Sequence, residues 1–152
     1  MRALLRYLLA FLAGVLCASL LGSVLSTQSV IAALADIDVE VTMATRVSMT
    51  VRDFGILPTL VPALAACLLP GFLIAGLCAR LIGGSRAAWF VVAGATAVVA
   101  ELLIMQAVLG LMPIAGARTL AGLLSFGLAG AAGGWLFVRI AGGTDLKEKR
   151  DA

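Results

Sequence analysis

The 152-residue chain contains no histidine. Without an imidazole there is no Ser-His-Asp or Cys-His catalytic pair, no histidine-ligated zinc and no histidine-held haem. Charge is scarce as well: Asp, Glu, Lys and Arg make up 12% of the residues, against roughly 25% in soluble globular proteins. The three cysteines, Cys17, Cys67 and Cys78, all fall within long apolar runs and not in a polar loop where an oxidising compartment could couple a pair. Cys17 and Cys67 share a similar depth, but no Cys-x-x-Cys or methionine cluster adds a third soft ligand, so the sequence implies no metal and no cofactor. The cysteines read as small soft hydrophobes. No nucleophile with an adjacent base is visible, and an enzyme is not expected.

What the chain has instead is apolar length. Hydrophobic residues account for 62% of it and the mean hydropathy is +1.15, both far outside the soluble range. Four stretches, 7–25, 56–79, 87–111 and 120–138, reach the roughly 20 residues that a helix needs to cross a hydrocarbon core. They are longer than barrel strands and do not alternate. The expected fold is therefore all-α: four transmembrane helices in an antiparallel bundle, one domain over 1–140, with an outer loop at 26–55 and a charged tail at 141–152. The first run follows Arg2 and Arg6 like a signal peptide, but it is longer than the roughly 7 to 15 residues of an h-region and no A-x-A-like site closes it, so an uncleaved anchor is expected.

Orientation follows from Lys and Arg, which concentrate on cytoplasmic flanks. Arg2, Arg6, Arg80, Arg86, Arg139, Lys147, Lys149 and Arg150 fall on one side; Arg46, Arg52 and Arg118 fall on the other. Both termini are thus expected in the cytoplasm, the basic face against anionic lipid, and no nucleic-acid partner is read into the pI of about 9.1. Composition and topology are similar to those of small four-span inner-membrane proteins of bacteria, which carries no residue roles over.

The outer segment admits two readings. From 37 to 52 apolar and polar residues alternate, a strand pattern. Val39, Met43, Val47, Val51 and Phe54 also recur at helical spacing, which suits an amphipathic helix lying on the membrane surface. Just before it, 28–35 reads as a separate helical turn or two with Thr27 as N-cap. The loop either caps the bundle or receives a partner.

Within the spans one residue needs explaining. Glu101 lies about 3 Å from the middle of the third span at 1.5 Å per residue, where a charge costs at least about 2.5 kcal/mol and ionisable groups are functional candidates by default. Ala93, Gly94 and Ala97 precede it on a small face that suits close packing. Three roles compete: a neutral acid bonded to a neighbouring helix as glue, a pair with another subunit, or a proton or cation carrier. Gln106, the other polar candidate, is about 140° around the helix and forms no common site with it. In the second span Pro70, followed by Gly71, frees the Ala66 carbonyl, which predicts a kink and offers an acceptor for Glu101.

Small residues recur every fourth position on the first span, including Gly14, Ala18 and Gly22, and Gly130 and Gly134 stand in the fourth. This spacing brings helix backbones close, within the chain or between copies. Two functions remain: an accessory or structural subunit packing with itself or a larger membrane complex, and a small proton-coupled carrier or channel built on Glu101.

Overall fold

In a lipid interior every backbone N–H and C=O must be satisfied within its own segment, so Leu- and Ala-rich runs without charge become helices. The computed structural model describes residues 2–35, 47–48, 51, 55, 57–110, 114 and 117–142. It is all-helical, with no strand among the described residues, and its long elements are α1 (Arg2–Ala35), α2 (Leu57–Leu81), α3 (Arg86–Leu109) and α4 (Leu120–Gly142). All four are long and apolar enough to span a membrane. Val47, Ser48 and Val51 are helical, with both valines exposed one turn apart, which fits the surface-helix reading of that segment; the rest of 37–52 lies outside the described residues.

The largest departure from the sequence reading is α1. It does not stop at 25 and restart at an N-cap but runs unbroken to Ala35, so Thr27 is a helix-interior residue. Its hydroxyl donates to the Ser23 carbonyl at 3.2 Å, a bond that satisfies a polar side chain without ending the helix. Ser19 does the same toward Val15 at 2.8 Å. Ser19, Ser23 and Thr27 thereby form a buried hydroxyl stripe at a spacing of four, of which only the Ser23 oxygen has no partner. At 34 residues α1 is about 51 Å long, well beyond a hydrocarbon core of about 30 Å.

The connections are built by short polar signals. Gly83 and Gly84 turn the chain after α2 with φ of 78° and 87°, values that side chains resist. Ser85 then caps α3 by accepting from the Ala88 N–H, and the Trp89 indole N–H donates to the Gly83 carbonyl at 2.9 Å, pinning the turn. Gly110, φ 66°, ends α3 two residues before the expected boundary. Thr119 caps α4 by accepting from the Gly122 N–H at 3.0 Å. That helix continues to Gly142, so Ala141 and Gly142 belong to it and not to the charged tail.

Packing centres on α4, which lies against both α1 and α3. Gly14 meets Gly133 so closely that a Cβ on Gly14 would sit 2.8 Å from the Gly133 carbonyl oxygen, and Gly22 lies under the Phe126 ring. On the other side of α4, Gly130 meets Gly94 and Gly134 meets the Phe90 backbone, while Gly127 sits against Val99. Along α2 and α3, Gly71 faces Ala97 and Gly76 faces Phe90. Each of these registers rises along one helix as it falls along its neighbour.

Each helix also contributes one ring to a shared aromatic cluster. Phe72 contacts Phe11 edge-on at 6.1 Å, Phe90 at 5.4 Å and Phe137 at 4.9 Å, and Phe90 stacks on Phe137 at 5.0 Å. Such pairs contribute roughly 0.5–1.5 kcal/mol each beyond the area they bury.

At the same end the Arg6 guanidinium donates from Nε at 2.9 Å and from a terminal nitrogen at 2.7 Å to the Ile140 carbonyl, one of the last-turn acceptors that α4 itself cannot fill. Arg6→Met should lower stability by about 1 to 2 kcal/mol, since the bond is charge-assisted but only half-buried. Unfolding titrations in mixed micelles read this directly, and an unchanged midpoint would mean that the clamp does not form.

Candidate functional site

Glu101 stands on α3 about 5 Å from the midpoint of that helix, at 1.5 Å per residue, on the side away from the arginine-rich end. It is half-buried. The seam that holds it is made by Gly71, where a Cβ would lie 3.1 Å from the Ala97 side chain and 3.5 Å from the Ala93 carbonyl oxygen. A missing side chain on α2 thus lets α3 come close, and one turn further along both helices Cys67 faces Glu101.

The two side chains lie close enough to interact electrostatically. The Cys67 thiol also lies 3.3 Å from the Leu64 carbonyl. A thiol has one proton to give and a weak acceptor sulfur.

Pro70 stands beside this seam. The ring is exposed and α2 is an unbroken helix from Leu57 to Leu81 with Pro62 and Pro70 in its interior. Gly71 lies at the seam itself, where its missing side chain admits Ala97 and Ala93.

Gln106 lies apart. It is exposed and lines a depression of about 650 Å³ with Arg118, Thr119, Leu120 and Leu123, at the end of the bundle opposite the Arg6 clamp. The packing residues Gly14, Ala18, Gly22, Gly130 and Gly134 are all buried, and their contacts run between helices of this one chain. All three cysteines are free and half-buried. Among the described residues no three His, Cys, Asp or Glu side chains group to hold a metal ion.

Two features escape the sequence reading. The Glu101–Cys67 pair is hidden when every intramembrane cysteine is treated as a hydrophobe; its signal is the Pro-Gly step, which marks a close approach one turn away. The phenylalanine cluster has no signal, because one ring per span has no spacing. No family model matches the chain, and neither a curated protein nor a solved structure shows significant similarity to it.

Proposed function

We propose that the chain is a non-enzymatic multi-pass subunit of a bacterial inner membrane, an antiparallel four-helix bundle with both termini cytoplasmic, which docks through its α2–α3 edge onto a larger membrane complex or a second copy. The observation that carries this reading is a half-buried carboxyl in mid-span, at the seam of the two least covered helices. The apolar windows of α2 and α3 are 28% and 22% buried, against 39% and 44% for α1 and α4. Glu101 has a thiol as its neighbour, and a carboxyl has lone pairs beyond what one thiol can fill. A polar group of a partner completes the set.

The small-residue faces speak to where docking occurs. Gly14, Gly94, Gly130 and Gly134 are consumed by contacts inside the chain and offer no surface to a partner. The opposed helix registers and the gathering of Arg6, Arg80, Arg86 and Arg139 toward one end support the stated topology and orientation. A proton-carrier role draws less support, because Glu101 is the sole acid among the described residues and a relay needs a second titratable group.

Cross-linking tests the proposal. A photoreactive residue at Ile104, exposed one turn from Glu101, should capture one recurrent neighbour in membranes, whereas the same residue at Leu128, exposed on α4, should not. A purely monomeric pattern at Ile104 would overturn the proposal.

A further inference from the structure

Away from α4 the bundle is open between α1 and α2. These helices meet through Phe11 and Phe72, and a cleft of about 1060 Å³ lies between them. Tyr7 and Leu8 line it from α1, Leu73 and Leu77 from α2, and Phe90 and Phe137 reach it from the other two helices. Arg80 and Arg86 also line it, and among the described lining residues there is no acid. Arg86 is held 5.8 Å over the Phe90 ring, which fixes its charge at the aromatic lining.

The dimensions and the charge together select an occupant. On α2 the cleft runs from Leu69 to Arg80, about 16 Å at 1.5 Å per residue, which matches half of a hydrocarbon core about 30 Å thick. An apolar slot one leaflet deep that ends in two guanidiniums is complementary to an acyl chain that ends in a phosphate. A helix of a second copy would fit the apolar part only, since the described helices carry one acid, Glu101, in mid-span and none to meet the arginines.

We infer that the α1–α2 cleft is a binding site for one anionic phospholipid, with acyl chain against Phe72, Phe90 and Phe137 and phosphate on Arg80 and Arg86. The site is independent of the Glu101 seam and of any partner docked there. Charge at the polar end gives selectivity over zwitterionic lipid, and depth gives retention.

Native mass spectrometry of the full chain, delipidated in mild detergent and titrated with phosphatidylglycerol or phosphatidylcholine, tests it. One phosphatidylglycerol should be retained at least tenfold more tightly. Replacing both arginines by glutamine should weaken it roughly 30-fold, at about 1 kcal/mol per cation, while replacing both by lysine should keep most of the preference. Gly76→Leu projects into the cleft, where a Cβ lies at an ordinary 3.8 Å from Phe90. It should abolish retention of both lipids while the thermal midpoint is kept, which separates loss of the site from loss of the fold. Equal retention of the two lipids, an unchanged affinity in the glutamine variant, or a protein dimer that excludes lipid and is lost in Gly76→Leu would overturn the inference.

Discussion

Gly94→Leu should leave no correctly packed protein. A Cβ at 94 would lie 2.9 Å from the Gly130 carbonyl carbon and closer still to its oxygen, and both atoms are backbone, so no rotamer change relieves the clash. Overpacking a core costs typically about 1–3 kcal/mol when side chains can move aside. Here α3 and α4 must separate along their whole length. That forfeits the Gly127–Val99 and Gly134–Phe90 contacts and opens the aromatic cluster, in which Phe90 stacks on Phe137. The expected result is aggregation or degradation in place of a monodisperse peak in size-exclusion chromatography. Gly110→Ala serves as the control: nothing lies within 4 Å of its Cβ position, and only the left-handed φ of 66° resists the change, at a cost of order 1 kcal/mol. A Gly94→Leu protein that purified and melted like the parent would mean that the α3–α4 interface is not glycine-tight.

Glu101→Leu should separate folding from assembly. A carboxyl at mid-bilayer is a cost to insertion that a leucine removes, and replacing a buried polar group by an apolar one of similar volume is often neutral or stabilising. The isolated protein should therefore unfold at the same or a slightly higher midpoint. The neighbour captured from Ile104 should disappear, because the carboxyl that completes the contact is gone. Glu101→Gln keeps a donor and an acceptor and should preserve capture at least partly. If Glu101→Leu destabilised the isolated chain by more than about 2 kcal/mol and left capture intact, the acid would be internal glue and the docking proposal would fail. Vesicles containing the reconstituted protein should show the same proton permeability whether they hold the parent chain or the Glu101→Gln variant, and a flux present in the parent but lost in that variant would establish the carrier reading instead.

The four spans are legible because hydrophobic length is a coarse property, summed over about 20 residues, that no single residue can mask. Boundaries are less so. Ser26, Thr27 and Gln28 look like a helix start when judged by residue type, yet a hydroxyl on a helix can bond back one turn, as Thr27 does to Ser23, and type alone does not distinguish the two uses. The stripes of small residues announce close packing but not its partner: the spacing of Gly130 and Gly134 is the same whichever helix approaches, and only the fold brings Gly94 and Phe90 to them. Glu101 stands out because it is alone. Its neighbour does not, because a thiol is polar only in company, and the register that aligns Cys67 with the acid is set by Gly71 one turn away.

The position of α4 bears on how the protein is made. Ribosomes release the chain from its N-terminus at roughly 5–20 residues per second, so the stretch between Ala35 and Gly142 takes about 5 to 20 seconds to follow. Throughout that interval α1 is in the membrane with Gly14 and Ala18 lacking the helix that covers them, and α3 waits in the same way with Gly94 bare. Of the four helices the last to emerge is the one that packs against both α1 and α3, so truncations that stop before residue 120 should behave as loosely held helices and not as a smaller bundle. Until α4 arrives, the early helices depend on lipid, or on the insertion machinery, to keep their grooves from engaging the wrong neighbour.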